Sequence, residues 1–361
     1  MAKLITFARP LFFQPLRLQR SNNLFSRRKF FLCFADALLF LLDYYKLTGK
    51  KERALLPDFY CPDTLKMISR HFAVFFYLTN DDFSIDHESY FSQLKNIKPK
   101  LIINYSFLGF ILSEEKKKDL AGLITEDTII IEDYAHHVVD FSDWQPVNKH
   151  HYIIDSIRKH SPLLGSHLIG GAMAKAWGKQ LNFYKIRCHF LQLVKGLMQY
   201  LSIIFNSRKL YDLSDKFFLW QDSVIGNYQD ATLGSLGSFY LYNFIDSVKL
   251  KARRQQTAWR YQEHFKKLGS PLVRILPDEI AAKAELNYYP LFVDQSIQED
   301  LMLYLKSKNI YLERLWEPEG EYIQQLNVGL MKSFLILPNT YLITEDDIAM
   351  VLREIDIFLK K

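Results

Sequence analysis

Residues 129–136 read Ile-Ile-Ile-Glu-Asp-Tyr-Ala-His, and this stretch decides the fold class. Three consecutive isoleucines are typical of a strand that is buried on both faces, as the central strands of a parallel sheet are. Similar apolar runs occur at Leu101–Tyr105 before it and at His151–Asp155 after it. Residues Ser113–Gly122, between the first two runs, are predicted to form a helix, and strands alternate with helices up to about residue 175. The alternation predicts an α/β domain built on a mostly parallel sheet.

The segments on either side of this core predict the rest of the layout. Apolar positions at helical spacing predict a helix over residues 30–47, and a second long helix over residues 240–268 that Gly269 closes. Strands at 286–293 and 332–337 and a helix at 344–359 predict a small α+β unit at the end. The predicted division is listed from the N-terminus: an arm at 1–25, a large α/β domain at 26–240, a connecting helix at 241–268 and a small α+β domain at 269–361.

Composition excludes several classes of protein. The 361 residues are 15% aromatic, so the chain cannot be disordered over most of its length. The net charge of +6 suits an anionic ligand such as a phosphate ester, and it is too diffuse to predict nucleic-acid binding. The three cysteines, Cys33, Cys61 and Cys188, form no disulfide framework, and the N-terminus is a poor signal peptide. We therefore expect a cytoplasmic protein.

Two longer apolar stretches, residues 30–45 and 190–205, need a separate interpretation. Each is shorter than a membrane span and is interrupted by polar or charged side chains, for example Asp36 and Lys195. They predict buried or amphipathic helices and no stable membrane insertion. Attachment of the second stretch to a surface is an alternative that the pattern leaves open.

Common catalytic and cofactor motifs are absent from the sequence. There is no GxGxxG after a strand, no GxxxxGK[ST] and no HExxH. Adjacent histidines at 136–137 and 150–151 point to opposite faces of a strand, so we expect no metal site. Residues 156–159 match the SxxK of penicillin-binding enzymes, but the SDN and KTG elements that this chemistry also needs are missing.

One pair of residues is compatible with a cofactor. Asp133 comes at the carboxyl end of the isoleucine strand, and Lys159 follows the end of another predicted strand. Ligands of open α/β sheets bind at this edge. Pyridoxal phosphate needs a lysine for its Schiff base and a carboxylate that keeps the pyridine nitrogen protonated. The same spacing also fits a simple ion pair between Asp133 and Lys159.

Four segments of the sequence resemble motifs of the DegT–DnrJ–StrS sugar aminotransferases, which are fold-type I pyridoxal-phosphate enzymes. No single segment is decisive, but they occur in the family's order between about residues 30 and 361. The segments are LLPDFYCP at 55–62, IEDYAH at 131–136, SIRK at 156–159 with Gly170-Gly171 behind it, and LPN at 337–339 with TEDDI at 344–348.

The resemblance implies a role for each matched residue. Lys159 would attach the cofactor, and Asp133 would pair with its pyridinium nitrogen. His136 would lie against the ring or its phenolic oxygen, Ser156 would hold the phosphate, and Asn227 would match an asparagine that this family lends across its dimer interface. The family fold is a large domain with a mostly parallel sheet and a small α+β domain.

The implied activity is transfer of an amino group, with glutamate as the expected donor, to a nucleotide-linked keto-sugar. Such an enzyme would be a cytoplasmic homodimer that serves surface-polysaccharide or amino-sugar biosynthesis. Cations for a sugar diphosphate are available at Arg158, Arg187, Arg253 and Arg254, and the sequence does not choose among them.

The sequence departs from the family pattern at residues 33–38, Cys-Phe-Ala-Asp-Ala-Leu, where a Gly-Thr or Gly-Arg element is usual. A helix N-terminus binds phosphate through its free N–H groups. Asp36 would repel a phosphate if it faced the ligand, or it would serve the helix as a cap. Two alternatives therefore stay open: a non-catalytic family member, and a pyridoxal-phosphate enzyme of another reaction class.

Overall fold

A computed structural model gives the arrangement of most of the chain. It describes residues 3–6, 28–47, 51–105, 107–108, 112–137, 144–159, 161, 163–170, 183–226, 231–242, 245–283, 288–316, 322–340 and 343–360.

A seven-stranded sheet forms the centre of the first half of the chain. Its strands are β1 (Arg28–Phe31), β2 (Glu52–Pro57), β3 (Phe72–Tyr77), β4 (Leu101–Tyr105), β5 (Ile129–Tyr134), β6 (His151–Asp155) and β7 (Ser166–Gly170). The order across the sheet is β1-β7-β6-β5-β4-β2-β3. Strands β2 to β6 are parallel, and only the pairings of β7 with β6 and with β1 are antiparallel. The predicted mostly parallel sheet is confirmed.

The isoleucine strand β5 is buried on both faces. Ile129 and Ile131 belong to the main core, whereas Ile130 points to the opposite face and packs in a second cluster with Leu94 and Leu120. The helices that follow the strands in this half are α1 (Phe34–Tyr44), α2 (Pro62–Ser69), α3 (His87–Ile97) and α4 (Glu114–Leu123). Because both faces of the sheet are covered, apolar residues do not alternate with polar residues along this run of isoleucines.

Helices dominate the second half, and a small antiparallel sheet accompanies them. The helices are α5 (Phe183–Ile204), α6 (Arg208–Gly226), α7 (Leu236–Tyr242), α8 (Ser247–Leu268), α9 (Asp278–Lys283), α10 (Gln295–Ser307), α11 (Val328–Lys332) and α12 (Glu345–Leu359). The small sheet has the order β10-β9-β8, with β8 (Val273–Arg274), β9 (Tyr288–Val293) and β10 (Phe334–Pro338). This separate sheet agrees with the expected α+β unit, and the α/β fold class is confirmed as a whole.

Two helix predictions were wrong at their N-terminal ends. Phe30 and Phe31 belong to β1, because they pair with His167 and Ser166 of β7, and helix α1 begins only at Phe34. The predicted helix over 240–268 is two elements, since α7 ends at Tyr242 and α8 begins at Ser247. For Phe30 and Phe31, pairing with a distant strand outweighs the helical spacing of the apolar residues, whereas the start of α8 is set locally by its N-cap residue Asp246.

Residues of the local sequence cap two long helices in the second half of the chain, α8 and α12. Asp246 caps α8 by accepting a hydrogen bond from the Lys249 amide, and Gly269 ends that helix with φ at 58°. Thr344 and Asp347 form a reciprocal capping box at the start of α12.

Of the predicted N-terminal arm, residues 3–6 are described, and Ile5 pairs with Ile310. Among the described helices, none combines the length and the apolar character needed to cross a membrane.

Candidate active site

The candidate site lies at the carboxyl edge of the large sheet. Tyr60 follows the end of β2, Tyr105 ends β4, Asp133 is the penultimate residue of β5, and Ser156 follows β6. Parallel strands end at the same edge, so these four residues lie along one edge of the sheet, where the Tyr60 ring contacts Tyr105 and its hydroxyl contacts Asp133. All four residues are buried.

Asp133 is held in position by two hydrogen bonds. The Tyr60 hydroxyl donates to Oδ2 over 2.7 Å, and the Ala135 amide donates to Oδ1 over 2.9 Å. Burial raises the pKa of Asp133 to about 6, although these two bonds and the positive charge of Lys159 act in the opposite direction. The carboxyl group is therefore easily protonated, and a nearby positive charge would favour its ionised form.

Lys159 ends a short 3-10 turn, Ile157–Lys159, directly after β6. The Lys159 amide donates to the Ser156 carbonyl over 3.1 Å, and the Ile157 amide donates to Gly165. Strands β5 and β6 are neighbours in which Asp133 lies opposite Ile154. The structure thus brings Asp133 and Lys159 to adjacent strand ends, and Lys159 is half-buried there.

His136 lies in the turn after β5 within a group of aromatic rings. Its ring centroid is 6.1 Å from that of Tyr105, 5.6 Å from that of Tyr288 and 6.1 Å from that of Trp316. Only 3% of His136 is exposed. The imidazole therefore borders the same buried region as Asp133, on an otherwise apolar side. Asn227, the remaining predicted residue, lies outside the described residues.

Both carboxylate oxygens of Asp36 accept hydrogen bonds from other groups of this chain. Its Oδ1 accepts a hydrogen bond from the Thr232 amide at 2.9 Å, and its Oδ2 accepts one from the Cys33 thiol at 2.8 Å. A further bond from the Cys33 backbone and these two contacts lower its pKa, but burial outweighs them and raises it to about 6. Cys33 is the N-cap residue of α1, so Asp36 reaches back to the start of its own helix and joins it to residue 232.

The four arginines considered for a diphosphate lie in different environments. Arg158 forms an ion pair with Asp222 of α6 at 2.5 Å, which raises the pKa of the guanidinium. Arg187 lies 5.3 Å from the centroid of the Trp220 ring. Arg253 binds Glu345 at 2.9 Å, and Arg254 is buried in α8. Arg158 is the one next to Lys159 in the chain, and its charge also acts on Cys33 at the start of α1.

The site has the groups that pyridoxal phosphate requires at its ring. A buried carboxylate, a lysine and aromatic walls lie together, and the buried Tyr105 hydroxyl has no hydrogen-bond partner among the described residues. Such an orphaned polar atom indicates a missing group.

In the part of the chain that the structure describes, no three His, Cys, Asp or Glu side chains are placed to hold a metal ion.

Sequence reasoning missed four residues of this site, and one of them is Tyr288 beside His136. Tyr60 lies inside the quoted segment 55–62 and directly after a strand, so its position at the strand end was the available signal. Tyr105 ends a predicted strand in the same way. Trp316 comes from the second half of the chain, and its ring lies 5.8 Å from that of Tyr105. No local pattern indicates that contact.

Comparison with known proteins gives a result at the level of structure only. The sequence matches no protein-family model and no curated protein. Spr1654 from Streptococcus pneumoniae, a proposed sugar aminotransferase determined in its PLP form, is similar with a TM-score of 0.67 at 11% identity over 99% of both chains. Helicobacter pylori PseC, an aminotransferase involved in the biosynthesis of pseudoaminic acid, has a TM-score of 0.65 at 13% identity, again over 99% of both chains.

A third similar structure is DesI in the presence of its TDP-sugar product. Its TM-score is 0.60 at 13% identity, over 92% of this chain and 81% of that chain. A similar structure from Brucella abortus is named as a DegT–DnrJ–EryC1–StrS aminotransferase. The fold expected from the resemblance of four sequence segments is therefore confirmed: this chain has the fold of the DegT–DnrJ–EryC1–StrS sugar aminotransferases.

Proposed function

We propose that this protein is a pyridoxal-phosphate-dependent aminotransferase that acts on a nucleotide-linked keto-sugar. The observation that carries the proposal is the buried Asp133 carboxylate, held by Tyr60 at the end of β5 beside Lys159 at the end of β6. The fold supports it, because PLP-form and TDP-sugar structures are among those that share the fold. Glutamate is the proposed amino donor, and surface-polysaccharide or amino-sugar biosynthesis is the proposed setting.

Each residue of the site has a proposed part in this reaction. The cofactor would supply an aldehyde that condenses with amines and a ring that accepts electrons. Asp133 would hold a proton on the ring nitrogen, and the Tyr60 hydroxyl would keep Asp133 ionised. Lys159 would attach the cofactor and, once released, would move a proton as a general base. His136 would contact the ring.

The remaining parts of the proposal rest on the resemblance. Ser156, buried beside the 3-10 turn, would hold the phosphate. Asn227 would reach a second subunit in a cytoplasmic homodimer. Together with Asp133 and Lys159, these residues would make up the proposed site.

One observation favours a second candidate function, a non-catalytic protein of the same fold. The Thr232 and Cys33 amides bind Asp36, so these donors are not available to a phosphate. A protein with weak phosphate binding would not retain the cofactor. A third candidate keeps the cofactor and changes the reaction class.

The test is covalent attachment of the cofactor. We expect purified protein incubated with pyridoxal phosphate and reduced with borohydride to gain the mass of one cofactor per chain. Lys159→Ala should lose this attachment and keep its circular dichroism, since a half-buried side chain after a strand is not core. Lys118→Ala, on the exposed side of α4, is the matched control and should behave like the parent.

Three outcomes separate the candidates. A parent protein that takes up no cofactor supports the non-catalytic candidate, and attachment in the Lys159→Ala variant overturns the assignment of that lysine. Conversion of the bound cofactor to its amino form by glutamate supports aminotransfer. Attachment without that conversion supports another reaction class. Asp133→Asn should keep the attachment and lose nearly all turnover, because an amide cannot hold a proton on the ring nitrogen.

A further inference from the structure

Two neighbouring helices, α5 and α6, expose large apolar side chains. Those on α5 are Phe183, Ile186, Phe190, Leu193, Leu197 and Ile204. Phe205 follows in the turn between the helices and is 67% exposed, and Leu213 and Trp220 are exposed on α6. The outer face of a surface helix in a globular protein is normally polar. An apolar surface of this extent marks an interaction site.

The orientation of α5 is determined by polar contacts on its inner side. The Lys185 ammonium donates to the Gly234 carbonyl over 2.9 Å, and the Lys195 ammonium lies 4.2 Å from the centroid of the Phe218 ring. The Gln221 side chain donates to the Cys188 carbonyl over 3.0 Å. Rotation of the helix to bury its apolar side would break these contacts, so the outward direction of that side is part of the fold.

One side of α6 continues this apolar surface. Lys209, Leu213, Lys216 and Trp220 are all exposed, and their spacing of four, three and four residues places them within an arc of about 60° around the helix. The Arg187 guanidinium of α5 lies 5.3 Å from the centroid of the Trp220 ring, so this side of α6 adjoins the exposed side of α5. We call the combined surface the α5–α6 face: the six apolar residues of α5, Phe205, Arg187, and the four residues of α6.

The exposed charges of the two helices are mainly positive. The exposed basic residues are Arg187, Arg208, Lys209 and Lys216, and the exposed acidic residues are Asp212 and Asp215. Asp212 forms an ion pair with Arg208 at 3.7 Å. Asp215 lies at least about 100° around α6 from the residues of the face, and the exposed Leu219 lies about 100° from Trp220 on the Asp212 side. Apolar side chains bordered by lysine and arginine are the combination that binds an anionic bilayer surface.

The width of the face favours a bilayer over a single helix. Packed helices lie about 8–10 Å apart, so the face is two helices wide. Helix α5 alone is about 33 Å long at 1.5 Å per residue. One partner helix would cover part of this width, whereas a flat lipid surface covers both helices.

Charge favours the bilayer over a second copy of this chain. A two-fold contact uses the same patch on both copies, so it would bring Arg187, Lys209 and Lys216 against an equal set of cations. Residues 183–204 contain no Asp or Glu that could pair with them. Anionic headgroups supply the opposite charge along the whole face.

We propose that the α5–α6 face binds the surface of an anionic phospholipid bilayer, with both helices lying in the plane of the membrane. The apolar side chains of α5 and Phe205 enter the boundary between headgroups and acyl chains. Trp220 lies at the level of the headgroups, where tryptophan is enriched. Arg187, Lys209 and Lys216 contact the headgroup phosphates. The contact is peripheral, since it buries the side chains of one face and no helix crosses the bilayer.

This inference goes beyond the proposed reaction and does not depend on it. Cofactor attachment at Lys159 and binding to vesicles are separate measurements. Failure of the vesicle test therefore leaves the cofactor test unaffected, and failure of the cofactor test leaves the membrane contact standing.

The direct test is co-sedimentation of the full-length protein with vesicles. We expect binding to mixed phosphatidylglycerol and phosphatidylcholine vesicles, and little binding to phosphatidylcholine alone. Phe190→Ser with Leu193→Ser should lose the binding and keep the parental circular dichroism. Leu303→Ser is the matched control, because Leu303 is 57% exposed on α10 and lies outside the face. A parent protein that binds neither vesicle, that binds both equally, or that is matched in binding by the double variant overturns the proposal.

A second pair of variants tests the cations. Each basic residue near an anionic surface contributes a factor of about five to binding, so Lys209→Gln with Lys216→Gln should weaken binding to the mixed vesicles about 25-fold. Lys95→Gln with Lys118→Gln makes the same charge change at exposed positions of α3 and α4, and it should bind like the parent. Equal weakening in the two pairs would reflect net charge alone and would contradict the proposal.

Two further measurements decide the question if a double variant does not fold. The tryptophan fluorescence of the parent should shift to shorter wavelength on the mixed vesicles, and Trp220→Phe should lose most of that shift. An unchanged shift in Trp220→Phe counts against the face. Light scattering tests the other occupant: a two-chain mass that is halved by Phe190→Asp alone, in a protein that binds no vesicles, would assign the face to a second copy and overturn the proposal.

Discussion

At the scale of single residues, the pair Tyr60 and Asp133 sets the electrostatics of the candidate site. Burial raises the pKa of Asp133 to about 6, and the Tyr60 hydroxyl opposes this shift by donating to Oδ2 over 2.7 Å. The proposed reaction needs the ionised carboxylate, so the acid limb of its pH–rate profile should depend on Asp133. The positive ring nitrogen of the bound cofactor should bring that limb below the pKa of the cofactor-free site.

Tyr60→Phe should move that acid limb to higher pH. The ring stays in place, but the carboxylate loses a hydrogen bond to a charged group, worth about 1.5 kcal/mol or about one pKa unit. The measurement is kcat/KM against pH with a nucleotide keto-sugar. Tyr90→Phe is the control, because Tyr90 is also a buried tyrosine but donates to Asn104. A limb that stays where it is in Tyr60→Phe would contradict the role given to that hydroxyl.

At the scale of elements, the end of β7 depends on a glycine. Gly170 has φ at 109°, and a Cβ atom built there would lie 2.4 Å from the His151 carbonyl oxygen and 2.8 Å from the Trp144 ring. Strand β7 pairs with β6, which leads into Ser156 and Lys159. Local strain at Gly170 would therefore be transmitted to the β6–β7 pair that carries the candidate lysine.

Gly170→Ala should lower the free energy of unfolding by about 2–4 kcal/mol, because the backbone is strained for an L residue and the contact is with backbone. Urea unfolding measures this. Gly122→Ala in α4 is the matched control: a Cβ there meets nothing within 4 Å, so a gain of up to about 1 kcal/mol is expected. Equal unfolding free energies for the two variants would show that β7 relaxes without cost.

At the scale of the whole molecule, Asp36 links parts of the chain that are 196 residues apart. Burial raises its pKa from 3.8 to about 6. A carboxyl group with a raised pKa holds more protons in the folded state than in the unfolded state. Its contribution to stability is therefore lost as the pH rises from about 4 to about 6.

Asp36→Asn should remove this pH dependence and keep the bond from the Thr232 amide. Between pH 4.5 and pH 7 the parent should lose more unfolding free energy than the variant, by an amount on the order of 3 kcal/mol at most. Urea titrations of the cofactor-free protein at both pH values test this. Asp300→Asn, at an exposed position on α10, should leave the parental difference unchanged. If the change in unfolding free energy between the two pH values is the same in the parent and in Asp36→Asn, a group other than Asp36 causes the pH dependence.

The local sequence predicted the central strands β4, β5 and β6 of the large sheet and the two candidate residues at its edge. The isoleucines of β5 and the apolar runs of β4 and β6 are buried on both faces, so each run identifies its strand without any knowledge of its neighbours. Asp133 and Lys159 could be placed at strand ends for the same reason. The order of four short segments predicted the fold, although identity to the similar structures is only 11–13% for Spr1654, PseC and DesI.

Which side chains meet depends on how distant segments pack against one another. The bond from Tyr60 to Asp133 spans 73 residues, and the bond from Thr232 to Asp36 spans 196. Phe30 and Phe31 follow a helical pattern but form a strand, because β7 offers them hydrogen-bond partners. The outward direction of the apolar side chains of α5, such as Phe183 and Phe190, was equally hidden. A periodic pattern shows that a helix has an apolar face but not which face the neighbouring elements cover. These outcomes depend on pairings between distant segments, and local periodicity carries no information about those pairings.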